Sequence, residues 1–285
     1  MIKPLHSFLK KILVKFNFTF SLKIDNIKYK VPVIHGLGIS HRNLNDPWML
    51  ELLKIIHPIA GHKMIDVGAN IGQTLLKMKS IDPKIKYIGF EPNPGCIFYL
   101  HQLIKTNKIE NTQIVPVAVS DQTQLESLHF YNDSADDASA TIIPDYRQNN
   151  MFHQELVPAF HVNVLREHID FKEMSILKID VEGSELQVIK SFEKEIASYL
   201  PIIIIEILPV YDEKKEVKRY KNQKEVQSII QNLEYSMFRI IKSNGKLSGV
   251  LEIQAIGIHS DIDACDYIFI PKTKVQSFQG LVTLI

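Results

Sequence analysis

The sequence is poor in cysteine, with only Cys96 and Cys265 among 285 residues. Two thiols this far apart lack the spacing of a zinc-binding cluster and cannot build a disulfide framework, so both kinds of stabilised scaffold are excluded. They are expected to be small buried hydrophobic residues of a protein in a reducing compartment. A cytoplasmic location is therefore expected.

The sequence also lacks a hydrophobic run that could cross a bilayer, which takes about 20 apolar residues. Its most apolar segment, residues 202–208, is far shorter and contains Glu206, a pattern typical of a buried strand. The first residues carry too many lysines inside their apolar segment for an ordinary secretory signal. This again favours the cytoplasm.

An excess of charge is missing as well, since 33 Lys and Arg residues balance 32 Asp and Glu residues to a net charge of +1. A tight nucleic-acid binder needs a basic field, so no nucleic-acid partner is expected. The content of 45% hydrophobic and 23% charged residues is ordinary for a globular protein. At this length we expect one α/β domain, residues 61–285, preceded by an N-terminal region, residues 1–60.

The N-terminal region is predicted to contain a helix, a hairpin and a lead-in helix. Residues 4–16 place apolar side chains at helical spacing opposite lysines. This helix either docks on the protein's own core or a dimer partner, or makes peripheral contact with an anionic membrane. The hairpin spans 18–30 and the lead-in helix 47–57, with Asp46 as its N-cap. The oligomeric state stays open.

The most informative segment is a strand that runs into a glycine-rich turn. An apolar strand containing Asp66 is followed by the turn D-x-G-x-N-x-G and a helix, and the next strand ends at Glu91, 19 positions after Gly72 (91 − 72). In such a βαβ unit, glycines let the backbone approach a ligand and the second acid accepts hydrogen bonds from ribose hydroxyls. The segment predicts an adenosine-containing cofactor.

The turn also narrows the identity of that cofactor. A dinucleotide site needs G-x-G-x-x-G, which is absent here. Asp66 would repel a pyrophosphate but can receive an ammonium or sulfonium group, directly or through water. Asn70 tolerates an unusual backbone conformation and can contribute its amide. S-adenosylmethionine therefore fits better than NAD.

Later strands also end in acids. A third strand is predicted over 113–119, a fourth over 175–180 and a fifth over 202–206, followed by closing strands at 237–242 and 267–270. Ligands of parallel sheets bind at the carboxyl ends of the strands. Carboxylates are rarely buried without partners, so five acids at one edge predict a site: Asp66, Glu91, Asp121, Asp180 and Glu206.

Two segments interrupt this pattern. Residues 122–170 alternate in short runs (125–131, 140–143 and 160–164) and predict a β-rich insertion that shapes the acceptor pocket. Residues 212–225 are dense in Lys and Glu and form either a solvated segment or a lid, before a helix predicted over 225–233.

Five motifs in this order resemble the FkbM-type S-adenosylmethionine-dependent methyltransferases over about residues 60–271: D-V-G-A-N-I-G (66–72), F-E-P-N-P (90–94), A-V-S-D (118–121), L-K-I-D-V-E-G-S-E (177–185) and I-I-I-E-I (203–207). The resemblance implies a class I methyltransferase fold, a mostly parallel Rossmann-like α/β sheet with helices on both faces. It also implies methyl transfer to an oxygen, commonly a hydroxyl of a sugar, glycan or polyketide.

The resemblance assigns cofactor-binding roles by position. The turn residues Asp66, Gly68, Asn70 and Gly72 would hold the methionine portion of S-adenosylmethionine. Glu91 would bind the ribose, with Asn93 nearby. Ser120 and Asp121 would flank the adenine. For Ser120 and Asp121, a simple turn remains the alternative.

A neutral hydroxyl is a poor nucleophile, so a base or a metal must help remove its proton. Asp180 and Glu182 are the best candidates for the base, with Glu206 beside them. Alternatively, Asp180 only orients the cofactor and Glu182 or Glu185 only caps the next helix. Two further alternatives are a divalent ion shared by Asp180 and Glu206, although no metal site is predicted, and a histidine base, for which the insertion offers His129, His153 and His161.

The expected partner is a small-molecule or glycan hydroxyl. A nucleic-acid base methyltransferase is less compatible, because no Asn-Pro-Pro-aromatic run follows Asp180 and no Pro-Cys pair exists. A cofactor-binding assembly module without chemistry is the non-enzymatic alternative. A nicotinamide oxidoreductase ranks last, because the glycine spacing is wrong for it.

Overall fold

A computed structural model describes residues 17–42, 46–132, 137, 139–143 and 151–285. Its strands are β1 (Phe18–Ile24), β2 (Ile27–Val33), β3 (Lys63–Val67), β4 (Lys86–Phe90), β5 (Thr112–Val115), β6 (Ala118–Val119), β7 (Gln124–Phe130), β8 (His153–Phe160), β9 (Ile176–Ile179), β10 (Ile202–Glu206), β11 (Tyr235–Ser243), β12 (Lys246–Ile253) and β13 (Asp266–Pro271). Its helices are α1 (Pro47–Ile56), α2 (Gln73–Ile81), α3 (Pro94–Asn107), α4 (Val162–Leu165), α5 (Glu185–Tyr199), α6 (Val217–Asn232) and α7 (Val275–Gln279).

Eight strands form the main sheet in the order β12-β11-β13-β10-β9-β3-β4-β5. The five strands from β10 to β5 run parallel, and β13 is antiparallel to β10. The chain moves outward from β3 to β5 in one direction and from β9 to β10 in the other. The switch point therefore lies between β3 and β9, where open α/β sheets bind their ligands.

Helices cover both faces of this sheet because alternate residues of its buried strands point to opposite sides. In β10, Ile203 and Ile205 pack into the core that contains residues of α5 and α6. Ile202 and Ile204 pack into the core formed with α1, α2 and α7. The mostly parallel sheet with helices on both faces, the class I methyltransferase fold implied by the resemblance, is thereby confirmed.

The predicted hairpin is confirmed as β1 and β2, joined at Asp25 and Asn26. It packs over α2 and α3, where the hydroxyl of Tyr99 donates to the carbonyl of Pro32 at 2.9 Å. Helix α1 begins after Asp46 as predicted, although no side-chain hydrogen bond caps it. The predicted helix over 4–16 lies outside the described residues, so its contact with a membrane remains a prediction.

The predicted third strand is wrong beyond Val115. Pro116 cannot donate a ladder hydrogen bond, and β5 ends just before it. The chain then enters a separate sheet of order β6-β8-β7, and β7 and β8 are the strands in the described part of the 122–170 segment. Residues 160–164 are also not a strand, because they contain the end of β8 and the start of α4.

Two elements near the C-terminal half differ from expectation. Helix α6 begins at Val217, well before the predicted start at 225, and β12 is an additional strand. Helix α6 is mostly polar and buries only Gln223, Val226 and Ile230, so its first turns carry little hydrophobic pattern. Both cysteines are buried, and neither forms a disulfide. Within the described residues, no helix combines the length and hydrophobicity that crossing a bilayer requires.

Candidate active site

The glycine-rich turn brings the ends of β3 and β9 into contact. Gly68 has a φ of 86°, and a Cβ at this position would overlap the carbonyl oxygen of Asp180. Asn70 also has a positive φ, 45°, which asparagine tolerates better than most residues. Only a residue without a side chain fits at Gly68, so the turn holds the two strand ends close together.

Glu91 lies just after β4 and organises the same turn. One carboxylate oxygen accepts from the backbone N–H of Asn70 at 2.7 Å, and the other accepts from the N–H of Asn93 at 2.8 Å. Burial raises the pKa of Glu91 to about 7, although the two N–H donors act in the opposite direction. Each oxygen retains a further lone pair, so the carboxylate can still accept hydrogen bonds from a ligand.

A first cavity of about 310 Å³ opens between this turn and the small sheet. Glu91 lies in its wall, and the turn residues Gly68 and Asn70 line it. The rest of one half is apolar, being lined by Phe90, Val117, Ala118, Val119, Leu128 and Ile142. The cavity therefore joins an apolar compartment to the buried carboxylates of Glu91 and Asp137.

Asp66 does not line this cavity, and its predicted contact with a cofactor, directly or through water, stays a prediction. Its side chain is fully buried, Lys178 donates to one oxygen at 3.1 Å and the hydroxyl of Tyr87 donates to the other. Asp66 and Lys178 are register partners on β3 and β9. Since the ammonium of Lys178 also lies 3.2 Å from Asp180, it links the interior of the sheet to the site.

Three carboxylates meet at the mouth of the cavity. Ligand oxygens of Asp180, Glu182 and Glu206 all lie within 4.8 Å of one another. Burial, followed by the charges of Asp180 and Asp266, raises the pKa of Glu206 well above its usual range. Three carboxylates this close do not all ionise easily, so the cluster can share a proton or hold a divalent cation.

Glu182 reaches the cluster through an unusual backbone conformation. It has a φ of 53°, and the following Gly183 has a φ of 106°. The hydroxyl of Thr141 donates to the carbonyl of Glu182 at 2.6 Å. Such strained positions concentrate at functional sites. Glu185 instead accepts from the N–H of Gly183 at 2.7 Å and so stabilises the start of α5.

A second cavity of about 260 Å³ lies on the other side of the turn. Its lining is strongly charged, and the ionisable residues are Asp46, Lys77, Lys178, Asp180, Glu206, Lys242, Asp263 and Asp266. Gly68, Asn70, Gln73 and Asp180 line both cavities, so the two compartments adjoin along the turn.

Several predicted site residues lie outside both cavities. Gly72 precedes α2, and the Asn93 side chain caps α3 by accepting from the N–H of Gly95 at 2.9 Å. Ser120 pairs through its N–H with Phe160 in the small sheet. The residues just before them, 117–119, line the first cavity instead, and the predicted contact of Ser120 and Asp121 with an adenine stays a prediction.

The histidine alternatives are not supported by position. His129 lies 3.0 Å from the sulfur of Met151, His153 stacks on Phe130, and His161 caps α4. None of the three lines either cavity. The candidates for a base are therefore Asp180 and Glu182, with Glu206 as their neighbour.

Sequence reasoning missed the lysines of the second cavity. Lys178 had a usable signal, because a lone lysine in the fully buried strand β9 must find an acidic partner. Lys77 had no such signal in the sequence, because lysines are common on helix surfaces. Only the packing of α2 shows that this lysine is buried.

The sequence model of a family described as the methyltransferase FkbM domain matches residues 66–240. Methyltransferase sdnD of Sordaria araneosa is 25% identical over 172 residues, with 50% of this chain and 65% of that protein covered. Methyltransferase 1 of Beauveria bassiana (strain ARSEF 2860) is 22% identical over 160 residues, with 50% of this chain and 64% of that protein covered. The chain thus spans less than two thirds of the length of both relatives.

Among solved structures, the methyltransferase FkbM of Methylobacillus flagellatus KT is similar with a TM-score of 0.45 and 16% sequence identity. The similarity covers 73% of this chain and 43% of that chain.

Proposed function

The chain belongs to the methyltransferase FkbM domain family, and from that premise we propose that it transfers the methyl group of S-adenosylmethionine to a hydroxyl of a sugar, a glycan or another small molecule. The observation that carries the proposal is the order in which chemically different groups line the site. An apolar compartment, the buried carboxylate of Glu91 and a cluster of three carboxylates follow one another across the carboxyl ends of β5, β4, β9 and β10.

The residues along the first cavity fit an adenosine-containing cofactor. The apolar side chains of Phe90, Val117 and Leu128 can enclose an adenine ring. The free lone pairs of Glu91 can accept from the two ribose hydroxyls, while its backbone hydrogen bonds fix the carboxylate in place. The turn at Gly68 to Asn70 would pass the remainder of the cofactor towards the acidic cluster.

When bound, S-adenosylmethionine supplies an already activated methyl group, so the protein's task is to position the acceptor and remove its proton. We assign the proton acceptor to Asp180 or Glu182. Glu206, with its raised pKa, retains a proton at neutral pH and can donate a hydrogen bond within the cluster. Lys178 holds Asp180 in place through an ion pair of 3.2 Å.

The same three carboxylates could hold a divalent cation, which would lower the pKa of a coordinated hydroxyl. Exhaustive chelation separates the two mechanisms. If turnover survives chelation, the carboxylates act as bases without a metal; if it is lost and returns with added Mg²⁺ or Mn²⁺, the cation belongs to the mechanism.

The acceptor is proposed to be a polar small molecule, because the second cavity next to the cluster is lined by charged residues rather than by a large apolar surface. The net charge of +1 argues against a nucleic-acid acceptor.

The first test is calorimetric titration of the full chain with S-adenosylhomocysteine, with NAD as the control. Saturable binding of the first and none of the second is expected, followed by methyl transfer to a panel of hydroxylated acceptors. Binding without turnover on any acceptor would favour the non-catalytic alternative. Binding of neither ligand would contradict the proposed cofactor.

A further inference from the structure

Lys77 is a buried cation to which the described part of the chain gives no partner. It lies in α2, is only 2% exposed, and its side chain lines the second cavity. Among the described residues, no hydrogen bond or ion pair reaches its ammonium. Because an isolated buried ammonium is costly, such a group usually has a partner that is bound or a function that needs it.

The other two lysines of this cavity are paired. Lys178 contacts Asp66 and Asp180, and Lys242 lies 2.6 Å from Asp266. Lys77 is therefore, within the described part of the chain, the cation of this cavity that is available to an anion. Burial lowers its pKa to about 8, although the charge of Asp46 acts in the opposite direction. The group is thus still cationic at neutral pH.

The position of Lys77 relative to the first cavity indicates which anion it can bind. Both cavities are lined by the turn residues Gly68 and Asn70, so a ligand whose ribose is held by Glu91 continues along the turn into the second cavity. The part of S-adenosylmethionine beyond its ribose ends in an amino-acid group, with one carboxylate and one ammonium.

We propose that Lys77 binds the carboxylate of the methionine portion of the cofactor. This assignment rests on the proposed function and adds a cofactor-binding residue that lies outside the glycine-rich turn. Asp46, which lines both cavities, suits the ammonium of the same group. The amino-acid group then meets one cation and one acid, while the other two lysines of the compartment are paired with acids of the chain.

The test compares two ligands that share adenosine and sulfur. S-adenosylhomocysteine carries the amino-acid group, and 5′-deoxy-5′-methylthioadenosine lacks it. Calorimetric titration of both into the full-length wild type and Lys77→Met should give a fall of about 10- to 100-fold in affinity for the first ligand, the usual range for a lost charge-assisted hydrogen bond. The affinity for the second ligand should stay within about 2-fold, because its contacts lie in the first cavity.

Lys105→Met is the matched control, because it removes one lysine from an exposed position of α3 that lines neither cavity. It should bind both ligands like the wild type. Thermal unfolding without ligand provides a check on folding, since Lys77→Met should unfold at the same or a higher temperature.

The outcomes separate this inference from the proposed function. If the wild type binds S-adenosylhomocysteine and Lys77→Met binds it equally well, the assignment of Lys77 is overturned while the cofactor stands; an acid on the acceptor would then be the anion to examine. An equal loss for both ligands in a folded variant would also overturn it. If the wild type binds neither ligand, the proposed cofactor fails and the assignment fails with it.

Discussion

The two cavities beside the glycine-rich turn differ in how they can recognise a ligand. The first has an apolar wall and only acidic charged side chains, among them the buried carboxylate of Glu91, whereas the second has charged side chains of both signs. Apolar burial contributes affinity without direction, while charged groups discriminate by sign and position. The first cavity therefore suits the adenosine portion of the cofactor, which many enzymes share. The second cavity suits the reacting end of the cofactor and the acceptor.

Two lysines of the second cavity show how partners change a buried charge. Burial alone would lower the pKa of Lys178, but Asp180 and Asp66 outweigh it and raise the pKa above its usual value. Lys77 is similarly buried without such contacts, and its pKa falls to about 8. Lys178 is thus part of the folded framework, whereas the described residues give the ammonium of Lys77 no hydrogen bond or ion pair.

The largest effect is expected from Glu91→Ala. The variant loses the acceptor for the ribose hydroxyls and leaves the N–H groups of Asn70 and Asn93 without their partner, so affinity for S-adenosylhomocysteine should fall by about 100-fold or more. Methylthioadenosine should lose as much, which distinguishes this position from Lys77. Glu193→Ala, an exposed change on α5, is the control in the same titrations. Near-normal binding by Glu91→Ala would rule out the ribose assignment.

The junction of the cavities is tested by Asp180→Asn and Glu182→Gln. If either acid is the base, its variant should turn over about 10²-fold more slowly while S-adenosylhomocysteine affinity changes little. Single-turnover kinetics with saturating cofactor gives the first quantity and calorimetry the second. Full activity in both variants would move proton removal to water.

A smaller effect concerns stability and pH. The ammonium of Lys77 has a pKa of about 8 in the folded chain and about 10.4 when unfolded. Between these values the unfolded state binds more protons, so the free energy of unfolding of the wild type rises with pH. Below pH 8 the folded wild type bears the full free-energy cost of burying the charged ammonium. Lys77→Met should therefore be more stable than the wild type by about 1–3 kcal/mol at pH 7.

This advantage of Lys77→Met should shrink as the pH rises from about 8 to about 10. Urea unfolding of the wild type and Lys77→Met at pH 7 and pH 10 measures this change. Taking the difference between the two proteins at each pH removes most of the contribution of the other groups facing Lys77, namely Asp46, Asp66, Asp180 and Lys178. A difference that does not depend on pH would mean that the ammonium is paired in solution.

The smallest effect is expected in the apolar half of the first cavity. Val117→Ala removes two methyl groups from its wall and should weaken S-adenosylhomocysteine and methylthioadenosine equally, by about 2- to 10-fold. A selective loss for one ligand would place Val117 next to the amino-acid group and would reverse the assignment of the two cavities.

Local sequence was sufficient for the core of the fold. The strands around Asp66 and Glu91 were predictable because short apolar runs followed by glycine and acidic residues have few other structures available. The break at Pro116 was harder to place, because the run from 113 to 119 satisfies the pattern of one strand although its two ends belong to different sheets. The early start of α6 was missed because its exposed turns need no hydrophobic pattern.

The sequence by itself determined the βαβ unit, the carboxylate of Glu91 at the end of β4 and the acids after β9 and in β10, because periodicity and turn chemistry are local properties. Only the tertiary structure decided which of these groups meet. The register of β3 and β9 pairs Asp66 with Lys178 inside the sheet, outside the first cavity, and the packing of α2 buries Lys77 beside the turn. Pairing and burial depend on residues far apart in the chain, and they set which charges are neutralised and which are left to bind a ligand.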